Sequence, residues 1–249
     1  MKHILLAISL SIISFNSFSQ TRDLNVSMYN FANLWQTDSI IDLYSGLKVK
    51  KMEPIGFFGD KYQRFYVHFI SIIKNQQNPN EYLVYGKNKL KDNISEIMGS
   101  LKISKASIYD FKEIDSIEQG ILKGTYILFE DNSKAGTGKF YGKFETEFMI
   151  INDNIYYSSI YLGADGFLNN QFQGVWSSYS SGKNYTCNWG DYRIPDSGDL
   201  DNGAGEFSVN EKYYANGWRS FETSKGYGMN ATREEIEKAR DEENKEWWE

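Results

Sequence analysis

The sequence predicts a mainly β protein: an antiparallel meander closing into a barrel or a strongly curved sheet, followed by a C-terminal α-helix. Three observations lead there. Tyrosine and phenylalanine number 18 and 16, against 3 prolines; aromatic residues suit half-buried pleated surfaces, and proline removes a ladder donor. The run 139–150 alternates, with Phe140, Gly142, Phe144, Thr146, Phe148 and Ile150 on one face and Lys139, Tyr141, Lys143, Glu145 and Glu147 on the other. That period of two marks a strand with one wet face. From residue 119 onward, successive strand-like runs are joined by short Gly/Asn/Asp turns, as in a meander.

Taken in order, the chain opens with a predicted signal peptide, residues 1–19. Met1-Lys2-His3 is followed by an apolar run, 4–15, too short to span a bilayer, and small residues Ser17 and Ser19 precede a cut at Gln20. The mature chain is therefore expected to be secreted or periplasmic. Residues 20–229 are expected to form a single β-rich domain and 230–249 a charged helix. Residues 21–35 read as a polar, irregular lead-in. Short strands at 40–44 and 47–50 flank Ser45-Gly46, and 53–60 reads as a loop. In 62–73, Phe65, Val67 and Phe69 share one face while Tyr66, His68 and Ile70 share the other, so this strand should be covered on both sides. A turn with Pro79 leads to a return strand at 82–85. The run 94–103 fits a strand better than a helical turn, and 108–118 is acidic and unassigned. Strands follow at 121–129, 139–150, 155–162, 172–179 and 185–189. After a Gly/Asp loop at 196–206, an edge strand or turn is expected at 206–214 and one more strand at 216–221. In the final helix Thr232 and Glu235 make a capping box, and Glu234 and Lys238 a favourable i,i+4 pair.

Composition excludes several functions. The net charge is −6 and no basic block occurs, so no nucleic-acid partner is expected. No second apolar run reaches membrane length, so no integral span is expected in the mature chain. Cys187 is the only cysteine, which rules out an intramolecular disulfide. His68 is the one histidine of the mature chain, so zinc or iron sites built from several His and Cys are excluded by count. A Cys187–His68 pair across a barrel is conceivable. The weightier reading makes Cys187 a small buried hydrophobe and His68 a hydrogen-bonded core residue. No Gly-x-Ser-x-Gly elbow and no Gly-x-Gly-x-x-Gly loop is present.

The stretch 172–195 holds the candidate ligand-binding residues Trp176, Trp189, Asp191, Tyr192 and Arg193. One reading of Trp189-Gly190-Asp191-Tyr192-Arg193 is a polar-aromatic mouth, with flat faces for a sugar or lipid headgroup and Asp191/Arg193 to orient it. The other, favoured, is a structural corner where Gly190 turns the chain, Trp189 plugs an end and Arg193 packs on an aromatic or pairs with Asp191. In the following loop Asp196, Asp199, Asp201 and Glu206 are candidate calcium ligands, although their spacing is not that of an EF-hand and a solvated turn explains them as well. No other cofactor is expected. Asp191, Asp199 and Glu206 would also be the carboxylates of a glycosidase.

Gly174-Val175-Trp176 matches the Gly-x-Trp signature of lipocalins, and in outline the meander resembles the secreted calycin barrels. The signature belongs on a first strand, whereas here it falls near the meander's end, and the early Trp35 follows Asn33-Leu34 rather than a glycine. The expectation is an exported, non-enzymatic β-barrel that binds a small molecule, a glycan or a protein partner. It predicts a cavity lined by Phe140, Phe144, Phe148 or Trp176. The alternatives are a carbohydrate-active hydrolase, which predicts two carboxyls facing across a cleft, and an inhibitor or interaction protein, which predicts a contiguous exposed apolar patch.

Overall fold

The computed structural model describes residues 21–249; the predicted signal peptide 1–19 and its cut at Gln20 lie outside the described residues. The strands are β1 (Thr21–Asp23), β2 (Ser39–Ile41), β3 (Lys48–Lys50), β4 (Ile55–Phe58), β5 (Gln63–Lys74), β6 (Glu81–Leu90), β7 (Asn93–Tyr109), β8 (Glu118–Phe129), β9 (Gly138–Ile151), β10 (Asn154–Tyr157), β11 (Asn169–Ser178) and β12 (Asn184–Asp191). The helices are α1 (Asn33–Gln36), α2 (Arg219–Ser224) and α3 (Arg233–Glu243).

Eight strands form a hydrogen-bonded ring in the order β4-β5-β6-β7-β8-β9-β11-β12, every pair antiparallel. β12 returns to β4 through Cys187 opposite Phe58 and Gly190 opposite Ile55. A closed ring leaves no unpaired edge among its members. β1 and β10 extend β7 and β9, and β2 pairs with β3 as the short hairpin predicted around Ser45-Gly46.

β4 corrects the loop expected at 53–60. It is a short apolar run buried over Ile55, Gly56 and Phe57, so it shows no alternation to read. Gly56 is required there: a Cβ would lie 2.8 Å from that of Trp189. β7 settles 94–103 as strand and carries it on to Tyr109.

Inside the ring, large rings fill the volume that glycines vacate. Trp189 stacks on Phe172 at 5.0 Å and Phe172 on Phe144 at 5.5 Å. The lead-in at 21–35 is not irregular filler. It crosses one end of the ring as a plug, with Phe31, Leu34 and Trp35 buried. Trp35 meets Tyr82 and Phe144 edge-on, at 5.3 and 5.5 Å, and the Phe31 N–H donates to the Tyr82 hydroxyl at 3.0 Å.

Outside the ring, a second apolar cluster packs Ile194, Leu200, Phe207, Val209, Trp218 and Phe221 on the outward Ile55 and Phe57. The edge strand or turn expected at 206–214 and the strand at 216–221 are replaced by a 3-10 helix, Glu211–Asn216, and by α2. The Asn210 side chain caps the first of these by accepting from the Lys212 N–H. α3 begins with the Thr232/Glu235 capping box. Beyond it, Trp248 stacks on His68 at 3.8 Å, and the His68 ring bonds Glu53 at 3.0 Å. His68 is thus an outward residue, not a core one. Cys187 is wholly buried within the ring's core, so the two stand on opposite sides of the wall and cannot form a catalytic pair.

No helix among the described residues is long and apolar enough to cross a membrane. The outward face of the ring carries Lys102, Lys123, Lys143 and Glu145 as exposed residues.

At Gly124 an added Cβ would lie 2.3 Å from the Lys102 carbonyl oxygen and 2.5 Å from the Phe144 ring. Gly124→Ala is expected to lower stability by about 1–3 kcal/mol, read as an earlier midpoint in chemical denaturation.

Candidate functional site

The end of the ring opposite the plug is open. A hollow of about 660 Å³ lies there, walled by side chains from β4, β5, β6, β7, β9, β11 and β12 and by the turns between strands. Period-2 geometry delivers these residues: the inward positions at each strand's last turn face the opening. One wall is aromatic. Phe58 stacks on Tyr185 at 5.3 Å and meets Trp176 edge-on at 5.5 Å. Phe65 and Phe140, 5.5 Å apart, also line the hollow and are themselves buried. Along β6, β7 and the turn between them the lining is mixed, with Asn88, Asp92, Asn93 and Ser95 polar and Leu90 and Ile94 apolar.

Glu130 organises the opening. It is buried, and its Oε1 accepts from Asn88 Nδ2 at 2.9 Å. Its Oε2 accepts from the Gly138 N–H and from Trp176 Nε1, both at 2.8 Å. Charge-assisted bonds of this kind are stronger than neutral ones. Trp176 is therefore held by its edge.

Two further hollows, of about 470 and 300 Å³, flank residues 52–55 on the outside of the ring, against α2, α3, the tail beyond it and neighbouring loops. The mouth is the candidate site because its aromatic side, Phe58, Phe65, Phe140, Trp176 and Tyr185, comes from paired strands, which hold side chains more closely than loops do.

The predicted site residues separate. Trp176 is at the mouth. Trp189 lies in the ring's interior against Phe172, and Asp191 is completely buried. Asp191 bonds Lys51 at 3.1 Å, the Tyr157 hydroxyl at 3.0 Å and Asn170 Nδ2 at 2.7 Å. Asn170 also donates to the Leu34 carbonyl and accepts from Thr146, which accepts from Trp35 Nε1. This chain of bonds ties the plug to the ring. Burial pushes the Asp191 carboxyl above its usual range, and Lys51 then pulls it back. Tyr192, not Gly190, turns the chain, with φ of 65°. It faces Phe167 and lines the 470 Å³ hollow with Glu206; burial, then the Asp191 charge, raise its phenol to about 12. Arg193 pairs with Asp201 at 2.8 Å, rather than with Asp191.

The four acids of the following loop do not converge. Asp196 accepts from Gln173, Asp199 from Lys212 and Tyr213, Asp201 from Arg193, and Glu206 from Tyr227. Among the described residues no group of three His, Cys, Asp or Glu side chains is placed to hold a metal ion. Asp191, Asp199 and Glu206 likewise share no cleft. The cavity expected from Phe140, Phe144, Phe148 or Trp176 exists only at the mouth, where Phe140 and Trp176 line it; Phe144 and Phe148 are taken up in packing. Phe58, Asn88, Glu130 and Tyr185 were missed. Parity could have found two of them: Glu130 follows Leu122, Tyr126 and Leu128 on inward positions, and Asn88 follows Tyr82 and Val84.

Comparison of the chain with known protein families, curated proteins and solved structures found no match.

Two variants separate the mouth from the plugged end. Glu130→Ala strands three donors and is expected to cost about 2 kcal/mol, with a shift of indole fluorescence as Trp176 loses its anchor. Lys51→Met leaves the Asp191 carboxylate buried without its cation and is expected to cost about 3 kcal/mol at neutral pH. Because burial raises the folded-state carboxyl above the unfolded 3.8, protonation favours the folded variant. Its deficit relative to the native chain should therefore shrink as pH falls towards that value, measured by denaturant midpoints across pH.

Proposed function

We propose that the chain is an exported, non-enzymatic binding protein whose ligand sits in the open mouth of the ring, a saccharide unit being the chemistry that fits best. One observation carries this reading: the aromatic cluster of Phe58, Trp176 and Tyr185 shares a hollow of about 660 Å³ with the polar side chains of Asn88, Asp92, Asn93 and Ser95. A sugar ring has an apolar face of C–H groups and an equatorial belt of hydroxyls. The first suits an aromatic surface and the second a row of amide, carboxylate and hydroxyl groups. The volume falls within the range of small-molecule sites.

The groups near the mouth favour binding over catalysis. Both oxygens of Glu130 are engaged by protein donors. Burial pushes the Cys187 thiol well above its usual value, and the Glu130 charge adds to this, so it is no thiolate nucleophile. Export rests on the character of residues 1–19.

Isothermal titration of the purified chain with a panel of mono- and disaccharides tests the proposal. At least one member should bind, and Trp176→Ala should weaken that binding roughly tenfold or more in protein that circular dichroism shows to be still folded. A silent panel, or binding indifferent to Trp176→Ala, would refute it.

A further inference from the structure

Most of the ring's outward face is polar, but β5 to β8 are an exception. Ile73, Leu83 and Met98 are 62%, 51% and 62% exposed, and Ile70 and Phe129 are exposed beside them. Strand register shows that these residues are contiguous. One row runs Ile73, Leu83, Ser100, Ile127; the next runs Ser71, Tyr85, Met98, Phe129. Two adjacent rows spanning these strands make one apolar patch, of the extent that marks an interaction surface.

Four charges form the corners of a rectangle on its two middle strands, β6 and β7. At one end Glu81 of β6 lies opposite Lys102 of β7; at the other, Lys87 of β6 lies opposite Glu96 of β7. The signs alternate around the patch. Three of these side chains are held by neighbours outside the pairs: Glu81 accepts from Asn75 Nδ2 at 2.7 Å, Glu96 accepts from the Tyr85 hydroxyl at 3.0 Å, and Lys87 donates to the Trp248 carbonyl.

We propose that this face binds a second copy of the chain in a two-fold dimer. Two copies of one face meet about an axis lying in the plane of contact. If that axis runs along the strands, Glu81 meets the partner's Lys102 and Lys87 meets the partner's Glu96. If it runs across them, Glu81 meets the partner's Lys87 and Lys102 meets the partner's Glu96. Under either arrangement every corner finds the opposite sign. The face is self-complementary as well as apolar, and like charges placed together would have cost several kcal/mol. Four strands by the length from Glu81 to Lys87 give a plan area of roughly 400 Å². With a polar rim added, this is the centre of a standard interface of about 800 Å² per partner.

Sedimentation equilibrium of the purified chain at micromolar concentration should show a species of twice the chain mass. Met98→Glu, at an exposed position where folding is unaffected, should return it to a monomer with an unchanged denaturation midpoint. Glu81→Lys alone should weaken association at least tenfold. Combining it with Lys102→Glu restores dimerisation if the axis follows the strands, and combining it with Lys87→Glu restores it if the axis crosses them. A chain that stays monomeric at about 100 µM, a dimer that survives Met98→Glu, or the failure of both double reversals would overturn the proposal.

Discussion

Asp191 is completely buried, and the closed end of the ring is arranged around keeping its charge there. Its oxygens accept from Lys51, just before β4, from Tyr157 at the end of β10, and from Asn170 on β11. Through Asn170 and Thr146 the same network reaches Leu34 and Trp35 in the plug. A buried ion pair is not a rich source of net stability, because desolvation opposes its attraction. What it supplies is position. A carboxylate with several fixed donors tolerates few alternative arrangements, so the plug, the strand that closes the ring and the two strands beside it are located relative to one another. The open end repeats the device on a smaller scale, with Glu130 in place of Asp191 and Trp176 as the part located.

That symmetry of purpose separates two carboxylates which the sequence treats alike. Both are acids at a strand's end. Asp191 seals and Glu130 presents, because the lead-in segment covers one end of the ring and leaves the other free. The aromatic residues divide in the same way. Trp189, Phe172 and Phe144 form an interior column, while Phe58, Trp176 and Tyr185 turn partly to solvent.

The alternation in β9 was legible because Lys139, Lys143, Glu145 and Glu147 on one face alternate with the apolar residues of the other. The capping box of α3 was legible because it is local. β4 was hidden by its own burial: Ile55, Gly56 and Phe57 contact protein on both faces, and a strand with two dry faces has no period. The plug was hidden because Phe31, Leu34 and Trp35 follow neither a helical nor a strand spacing. Asp191 drew attention as a ligand-orienting group, but its partner Lys51 is 140 residues away, and no local pattern joins them. Glu130 was passed over as one acid among many, although its parity with Leu128 placed it inside.

β4 also bears on how the molecule comes into being. It is four residues long, and half of its pairing is with β12, on the far side of the chain. During synthesis from the N-terminus, β5 to β9 can pair in succession as neighbours, while β4 waits with one edge bare until residues near 190 have been made. Closure is thus a late event that joins distant segments, the kind of contact that forms slowly. Until then both borders of the growing sheet can recruit other chains. A cell making this protein has an interval to manage between the first hairpin and the last strand, and its length is set by where the partner of four residues happens to be encoded.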